Sequence, residues 1–595
     1  MVIMSHRLEI RRIIFGHGKV LMLMITSVFV WILVENYFLP KRKIFQPTQS
    51  KIIVEKQTKS RIWVEDSAQH ETPVTDHMTV SNASRSNFIV LNQKPFYRLG
   101  EEIRVLVELF NGYGHRRTIG GDMVRVWMRD AKHNASSAAL VKDNENGSYT
   151  ATLVAFWSGL PEIKAVLIHS KEVIDTYYRR RFKWPQVHYL SAIFEHPVTT
   201  NIKETTVCNL VDSVPKYTEI CNLTRDNYDS PLYCVKPANH RLQCSDWTRI
   251  GGGSTWPGDE PHLTSAERFL LQPQNKATFL PGSIIIQVKK AEKPFPDEYD
   301  LLPLGKGYVC QSKTNCIKAE ASKERLIESS RLCFTVDART VWNRLSPIGY
   351  FYHDIWYDRL CTRRRTYQHS IIKNCIGNRS MYLLGDSTLR QWHYVIQDRI
   401  NCTFVTDTWL ESSKHRPATC VDRNLNFTLH WAPHGLPFAT DNTPRRYFRP
   451  IATRIDDING DDRVIIVINL FAHMMSFHSS VFYNRMVTIK DSIIRLFQRC
   501  PNATVAIKGP HYYSFEKQMY QSLWMLDKYA DVYTYIMREL FIDLSNRVIY
   551  LDGMDMTISA ETKHIHPSRQ TAIQMVDDMF SKICPQLSTS KVTHL

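Results

Sequence analysis

The chain has 595 residues, 43% hydrophobic and 22% charged, which is ordinary for a globular protein with about three domains. Its 75 Lys and Arg residues exceed its 58 Asp and Glu residues, so the formal net charge is +17. This charge favours anionic glycans, a phosphorylated acyl donor or anionic lipid surfaces, whereas a nucleic-acid partner is excluded by the compartment that the next features indicate.

An uncharged apolar run, VLMLMITSVFVWILV, occupies Val20 to Val34 and continues past Glu35 through NYFL. No small-residue cleavage pattern follows it, which favours a signal anchor over a cleaved signal peptide. We predict a cytosolic tail over residues 1–19, a transmembrane signal anchor over residues 20–39 and a polar stem over residues 40–85. The chain would then be a single-pass type II membrane protein, expected in the Golgi, with a secreted protein as the alternative.

N-glycosylation sequons are spread over the chain beyond the apolar run, at Asn82, Asn134, Asn146, Asn222, Asn378, Asn401, Asn426 and Asn502. All 13 cysteines also lie beyond the run, and disulfides are their default state in an oxidising compartment. Both features place the part of the chain that follows the anchor in the secretory lumen. Because 13 is odd, one thiol is free or forms an intermolecular disulfide.

Alternating apolar residues predict β-strands in EEIRVLVELF, GSYTATLVAFW and EIKAVLIHS. The pair Asn146-Gly147 predicts a tight hairpin, because both residue types tolerate positive φ. We therefore expect an immunoglobulin-like β-sandwich over residues 86–183. Residues 184–331 are rich in turn residues and cysteines, and we predict a Cys-rich connector there.

Residues 332–595 alternate short apolar strands, in MYLLGDS, DRVIIVIN, ATVAIKG and RVIYLDG, with amphipathic helices. This pattern predicts a parallel sheet covered on both faces, in a three-layer α/β/α domain. The expected fold class is therefore α/β. Ligands bind at the carboxyl ends of such strands, and Ser387 directly follows one of them.

Gly385-Asp386-Ser387 lies where a buried strand gives way to helical spacing. A hydroxyl at this turn would lie at the positive end of a helix, whose amides can also stabilise an oxyanion. The alternative is that Ser387 only caps the helix. The residue types thus allow either a nucleophile or a cap.

A serine nucleophile needs a base, and His564 and His566 are the candidates because they lie between the last strand and the last helix. Pro567 suits the first position of that helix, which favours His566 as the residue held in place. A metal site at the two histidines has no further ligand near it in the sequence. We therefore expect no metal.

The motifs GDSTLRQW, HWAPHGLP and WYDRLC, joined to the N-terminal GGDMVRV, NENGSYTATLVAFWSGLPEIKAVLIHSKEVI and LYCVKP, resemble the neurexophilin and PC-esterase domain family. The Gly-Asp-Ser motif and a late histidine look like the wider SGNH/GDSL hydrolases. The resemblance covers nearly all of the chain beyond the stem. It implies a neurexophilin-like β domain over residues 86–183 and an SGNH-like PC-esterase domain over residues 332–595. Related PC-esterase enzymes O-acetylate sugars, including sialic acid.

Carried over by this resemblance, Ser387 is the nucleophile, His566 is the base, and Gly435 and Asn469 are oxyanion donors. The Asp-x-x-His motif of this branch is absent, since Lys563 stands three residues before His566. The best acid nearby is Asp555, and the alternatives are Asp552 and Glu561. The segment INLFAHMM stands where the third sequence motif of the family is expected, and it lacks the glycine expected beside its histidine.

We predict a secretory-pathway carbohydrate O-acetyltransferase with a Ser-His-Asp acyl-enzyme mechanism, acting on a sugar hydroxyl, with sialic acid on glycoproteins as one candidate acceptor. No bound cofactor is expected, and acetyl-CoA is a candidate acyl donor. The expected partners are a glycan or glycoprotein acceptor and, through the anchor, the membrane. The alternatives are a carbohydrate O-acetyl esterase and a neurexophilin-like glycosylated ligand or adaptor with a degenerate esterase domain.

Overall fold

The computed structural model describes residues 63–183, 190–199, 201–214, 216–251, 263–289, 307–310, 316–319, 332–362, 369–406, 415–437, 443–459, 463–513 and 525–584. These residues belong to one compact unit, Ile62–Leu595. The predicted cytosolic tail, the predicted anchor and most of the predicted stem lie outside them. Within the described ranges, no helix is both long and apolar enough to cross a membrane.

The first half of the described chain consists mainly of short strands. Its strands are β1 (Asn87–Val90), β2 (Tyr97–Arg98), β3 (Glu102–Glu108), β4 (Met123–Asp130), β5 (Ala135–Ala138), β6 (Leu140–Asp143), β7 (Ser148–Val154), β8 (Glu162–His169), β9 (Leu190–Glu195), β10 (Lys203–Asn209), β11 (Ile220–Asn222), β12 (Tyr233–Val235), β13 (Trp247–Gly251), β14 (Thr278–Phe279), β15 (Ile284–Ile285), β16 (Val288–Lys289), β17 (Gly307–Cys310) and β18 (Cys316–Ala319). Its α-helices are α1 (Lys171–Lys183) and α2 (Ser265–Leu270).

The second half alternates strands and helices. The strands are β19 (Gly349–Tyr352), β20 (Ile355–Asp358), β21 (Ser380–Gly385), β22 (Thr403–Thr406), β23 (Ala418–Asp422), β24 (Phe427–Ala432), β25 (Thr443–Pro444), β26 (Val464–Asn469), β27 (Thr504–Lys508) and β28 (Val548–Leu551). The α-helices are α3 (Ala338–Trp342), α4 (His369–Ile376), α5 (Ser387–Ile400), α6 (Ile451–Asp456), α7 (Ser479–Arg499), α8 (Lys528–Leu540), α9 (Met554–Ser559) and α10 (Arg569–Ile583).

Two antiparallel sheets share one core in the N-terminal part. One sheet has the order β1-β3-β7-β6, and the other has the order β14-β8-β4-β5-β19-β20. Val105 and Ala151 of the first sheet are buried in the same cluster as Val126 and Ile163 of the second. Strands β14 and β19–β20 come from the predicted connector and the predicted C-terminal domain, so this sheet takes strands from three predicted segments. The immunoglobulin-like topology stays a prediction.

Strands β6 and β7 pair directly in an antiparallel register, so the predicted hairpin is present, but the positive φ angles lie at Glu145 and Gly147 and not at Asn146. Gly147 lies in the turn with φ 77°, a conformation that glycine adopts without steric cost. The preceding Asn146 accepts hydrogen bonds from the amide and the hydroxyl of Ser148, at 3.1 and 2.7 Å. The predicted strand pair is confirmed.

The predicted connector contributes most of a six-stranded antiparallel sheet in the order β11-β12-β10-β9-β13-β25. The disulfides Cys208–Cys234 and Cys221–Cys244 cross-link it. Its last strand, β25, belongs to the C-terminal part and pairs with β13. This pairing attaches the basic PRRYFR segment to the connector sheet.

The C-terminal sheet has the order β22-β23-β24-β21-β26-β27-β28, and β24 to β28 along this order are parallel. On β26, Ile465 and Val467 lie in one hydrophobic cluster with residues of α5 and α10. Ile466 and Ile468 lie in a second hydrophobic cluster, with residues of α7 and α8. Both faces of the strand are therefore covered, which is why its sequence is continuously apolar. The predicted mixed α/β fold is confirmed.

Five disulfides lie in the described part of the chain: Cys208–Cys234, Cys221–Cys244, Cys333–Cys361, Cys375–Cys584 and Cys402–Cys420. So many disulfides indicate the secretory pathway or the extracellular space. Cys500 is a free, buried thiol, and the intermolecular disulfide stays a prediction. Of the eight predicted glycosylation sites, Asn82 is half-buried and the other seven are exposed.

Candidate active site

The structure has the predicted strand-to-helix turn at Gly385-Asp386-Ser387, with β21 ending at Gly385 and α5 beginning at Ser387. Asp386, not Ser387, is the helix cap, since its carboxylate accepts hydrogen bonds from the Thr388 amide at 2.9 Å and the Thr388 hydroxyl at 2.7 Å. A side chain at Gly385 would clash with the carbonyl oxygen of Asn469, because β21 and β26 approach closely. The turn therefore leaves the Ser387 hydroxyl available for another partner.

That partner is His566. Its Nε2 lies 2.7 Å from Ser387 Oγ, although the residues are 179 positions apart in the chain. Ser387 is half-buried and His566 is exposed. The serine hydroxyl can therefore donate to the imidazole, which is the geometry of a nucleophile and its general base.

The protonation state of His566 suits a base. Although His566 as a residue is exposed, its ring is packed among neighbouring groups, and the desolvation of the ring lowers its pKa. Asp386 opposes this effect, and the positive charges of Arg390 and Lys508 add to it. A lowered pKa keeps the imidazole neutral at neutral pH. A neutral imidazole whose Nε2 accepts from Ser387 carries its proton on Nδ1.

The backbone on both sides of His566 is held by side chains from other elements. His511 Nε2 donates to the carbonyl of Ile565 at 2.7 Å, and Gln391 Nε2 donates to the carbonyl of Pro567 at 2.6 Å. Gln391 is on α5, the helix that begins at the nucleophile. These two hydrogen bonds fix the base relative to the serine.

The prediction that Pro567 opens the last helix is wrong. Helix α10 begins at Arg569, and Ser568 is its N-cap, with Oγ accepting from the Thr571 amide at 3.1 Å. Proline lies just before this cap, where its fixed φ still restricts the segment. The choice of His566 over His564 agrees with the observed contact, but the restraint comes from hydrogen bonds to the neighbouring carbonyls.

Asp555, the predicted acid, is engaged elsewhere. One of its carboxylate oxygens accepts from the Ser346 hydroxyl and the other from the Ile348 amide, each at 2.7 Å. Burial raises its pKa to about 6, and the nearby charge of Asp552 adds to this. Among the described residues, no hydrogen bond joins Asp555 to His566, so this geometry does not support the predicted triad.

The two alternative acids are also engaged elsewhere. Glu561 accepts from Trp127 Nε1 at 2.9 Å and from Lys164 Nζ at 3.2 Å, which ties the segment after α9 to β4 and β8. Asp552 accepts from the Met554 amide at 2.9 Å. Within the described ranges, neither carboxylate is hydrogen-bonded to the base.

The predicted oxyanion donors follow the strands on either side of β21. The register pairs Leu384 with Ala432 of β24 and Gly385 with Asn469 of β26, so the loops after all three strands meet at one edge of the sheet. Neither the Ser387 amide nor the Gly435 amide has a hydrogen-bond acceptor among the described residues. Both are therefore available to a ligand.

The side-chain donor is less available. Asn469 is fully buried, and its Nδ2 donates to the carbonyl of Lys508 at 3.1 Å. Gly435 has a packing reason to be glycine as well, since a Cβ there would lie 2.9 Å from Pro450. The structure thus favours backbone amides over the asparagine as oxyanion donors.

A buried polar chain, missed from the sequence, runs beneath the nucleophile. Lys508 Nζ lies 3.3 Å from Thr388 Oγ1 and 3.3 Å from His511 Nδ1. Burial alone would raise the pKa of Asp386, but the charge of Lys508 and the donors around it hold that pKa at about 2. Burial lowers the pKa of Lys508 to about 8 and that of His511 to about 3. The chain links the turn below the serine to the segment that carries the base.

A histidine pair joins the motif HWAPHGLP, which contains His434, to the motif INLFAHMM, which contains His473. His434 Nδ1 lies 2.7 Å from the carbonyl of Gly435, and its Nε2 lies 2.8 Å from His473 Nδ1. A carbonyl only accepts, so His434 Nδ1 carries a proton. Burial lowers the pKa of His434 to about 4 and that of His473 well below its ordinary value. The pair is therefore neutral, with His473 donating to His434.

The part of the chain that carries this site is similar to a known family domain. A family model described as "NXPE family member 4-like, C-terminal domain" matches residues 356–584. Among solved structures, an active-site mutant of a family two carbohydrate esterase from Clostridium thermocellum, in complex with "celluohexase", matches with 10% identity and a TM-score of 0.21 over 84% of this chain and 96% of that chain. That score is too low to support an argument. The residues from Trp356 to Cys584, which include the whole candidate site, are similar to the C-terminal domain of the NXPE family.

Proposed function

We propose that this protein is a serine-dependent carbohydrate O-acyltransferase of the secretory pathway, with acetyl as the acyl group. The observation that carries the proposal is the 2.7 Å contact between Ser387 Oγ and His566 Nε2 at a capped strand-to-helix turn. Two unengaged amides on the same edge of the sheet supply a place for the oxyanion. The similarity of residues 356–584 to the NXPE C-terminal domain supports the assignment.

In the first half-reaction, Ser387 Oγ attacks the acyl carbonyl of a thioester donor, and the serine proton passes to His566 Nε2. The amides of Ser387 and Gly435 stabilise the oxyanion. The carbon–sulfur bond then breaks, and the departing thiolate takes the proton from His566. This leaves the acyl group as an ester on Ser387.

In the second half-reaction, a sugar hydroxyl attacks this ester and gives its proton to His566 Nε2. The bond between the acyl carbon and Ser387 Oγ breaks, and the serine recovers the proton from the histidine. If water attacks instead, the same residues perform an esterase reaction. A carbohydrate esterase would take its acyl group from an acetylated sugar, so the two activities share the catalytic residues and differ in the acyl donor and in the second nucleophile.

The base works in this scheme without a hydrogen-bonded carboxylate. His511 and Gln391 hold the carbonyls on either side of His566 and so do the positioning that an acid performs in a triad. Asp386, buried below the turn, supplies a negative charge that favours the imidazolium formed during the reaction. No described carboxylate is hydrogen-bonded to His566, and this observation also favours the second candidate, a glycosylated adaptor with a degenerate site.

The finer parts of the proposal concern location and domains. We propose a type II anchor over residues 20–39, residence in the Golgi and a neurexophilin-like domain over residues 86–183. Five disulfides and seven exposed sequon asparagines support a lumenal position for the described part. Sialic acid is one candidate acceptor.

The reaction is tested with the purified full-length chain, acetyl-CoA labelled in the acetyl group and a sialylated glycoprotein. Label in the glycan supports the transferase, and release of acetate from an O-acetylated sialylated glycoprotein, supplied without acetyl-CoA, supports the esterase. Both reactions should disappear in Ser387→Ala. If wild type and Ser387→Ala give the same background, the enzyme assignment is wrong and the adaptor is favoured.

A further inference from the structure

A cavity of about 310 Å³ lies between the connector sheet and the segment that follows β25. Arg225 and Trp247 line it from the connector side, and Arg445 and Arg446 line it from the C-terminal side. The pairing of β25 with β13 holds the two sides together. The cavity therefore depends on the folded arrangement of two distant stretches of chain.

The lining has surplus positive charge. Its three arginines face one carboxylate, Asp226, which lies 3.4 Å from Arg445 Nη1. The two side chains of this pair are 36% and 47% exposed, so solvent screens the contact and it neutralises little. Arg225 has no hydrogen bond or ion pair with any other described residue. At least two positive charges thus remain for a ligand.

Two of the three guanidinium groups also lie over aromatic rings. The guanidinium of Arg445 lies 5.0 Å from the ring centre of Trp247, and that of Arg446 lies 5.1 Å from the ring centre of Tyr447. Stacking orients a guanidinium plane while its N–H edge stays free to donate. Such edges match the oxygens of phosphate groups in paired hydrogen bonds.

The cavity adjoins the candidate active site. Leu436 lines it, and the preceding residue, Gly435, is the proposed oxyanion donor. The backbone that lines the cavity therefore continues directly into the proposed oxyanion donor. The volume of about 310 Å³ lies at the lower end of the range for small-molecule and cofactor sites, about 300–1,000 Å³.

We propose that this cavity, with Arg225, Arg445 and Arg446, binds the phosphate groups of the acyl donor, a thioester of the coenzyme A type. The inference rests on the proposed function and names its donor subsite. Several guanidinium groups in a cofactor-sized cavity suit a ligand with several phosphates. A single sugar carboxylate is matched by one arginine. The site also separates a transferase from an esterase, which has no need of a phosphorylated donor.

Binding is tested without catalysis, by calorimetry of coenzyme A with the full-length Ser387→Ala chain. Arg225→Gln and Arg446→Gln, each added to this background, should weaken binding about tenfold, the effect of losing one charged hydrogen-bonding group. Arg225→Gln removes no contact among the described residues, so its fold should be unchanged. Arg116→Gln is the matched control, because Arg116 pairs with Glu108 at 3.2 Å on the N-terminal sheet.

Pantetheine, which lacks the phosphates of coenzyme A, identifies the part of the ligand that is bound. The parent should prefer coenzyme A, and the arginine variants should lose most of that preference. Absence of coenzyme A binding, or equal binding by the parent and both variants, would overturn the inference. The inference would also be overturned if the arginine variants lost binding of a sialylated acceptor but kept their binding of coenzyme A. If coenzyme A binding depends on the arginines but acetyl-CoA never acylates Ser387 of the wild-type chain, the cavity assignment is upheld and the proposed function is refuted.

Discussion

The hydrogen bond from Gln391 to Pro567 gives the most selective test of how the base is held. Gln391→Ala removes the donor to a carbonyl directly after His566, while the contact between Ser387 and His566 is not touched by the substitution. Gln391 is a positioning residue, since it acts on the reaction only through the backbone of the base. We expect the variant to fold and to react more slowly.

The magnitude follows from one hydrogen bond. A neutral hydrogen bond contributes about 1 kcal/mol net, and this amount corresponds to about a fivefold change in an equilibrium. If it is lost from the segment that aligns His566, the rate of labelling of Ser387 by a fluorophosphonate should fall about fivefold. Thermal unfolding should report a stability loss of about 1 kcal/mol.

Gln397→Ala is a matched control on the same helix. Gln397 Nε2 donates to the carbonyl of Cys402 at 3.2 Å, and both glutamines are half-buried. This variant removes an equivalent hydrogen bond far from the base. It should lose a similar amount of stability and keep the wild-type labelling rate.

The comparison separates positioning from stability. If Gln391→Ala is labelled at the wild-type rate, the hydrogen bond to Pro567 does not align the base. If Gln391→Ala and Gln397→Ala are slowed equally, the effect is one of general stability. Either result would refute the role that we assign to Gln391.

Three further predictions use the same labelling assay. His566→Ala should abolish labelling while secretion and glycosylation remain unchanged, and His564→Ala should reduce labelling far less. If His564→Ala were the unlabelled variant, the roles of the two histidines would be exchanged. Because the pKa of His566 is lowered, the base stays unprotonated below the ordinary histidine value of about 6.5, so the labelling rate should decline only at lower pH. A decline complete by pH ~6.5 would contradict this pKa shift. Asp555→Asn should lower stability by about 1–3 kcal/mol, since Ser346 or Ile348 loses its acceptor. The labelling rate should change less than twofold. A fall in that rate by several orders of magnitude would restore Asp555 as the acid.

Local pattern was enough to predict the turn at Ser387 and the parallel sheet around it. A buried strand has a continuous apolar run and the following helix has a 3.6-residue period, so their junction is visible in the sequence. The ends of parallel strands share one edge, which brought His566 to the serine across 179 positions. These features depend on neighbouring residues and on the order of the strands.

The acid and the supporting residues were beyond such reasoning. Whether Asp555 reaches His566 depends on the orientation of the short helix α9 and on the competing donors Ser346 and Ile348, which come from a distant segment. The pairing of β19 with β5 also joins distant parts of the chain and has no local signal. Lys508 and His511 did leave a signal, since a charged residue ends the apolar strand β27 and a histidine follows three residues later on the catalytic edge.

Labelling of the purified full-length chain with a fluorophosphonate, followed by peptide mapping, measures directly whether Ser387 is an activated nucleophile. The geometry of Ser387 and His566 predicts one modified residue, Ser387, with the modification absent in Ser387→Ala and in His566→Ala. A folded, glycosylated wild-type chain that remains unlabelled, or one labelled to the same extent as Ser387→Ala, would contradict an active serine at this site.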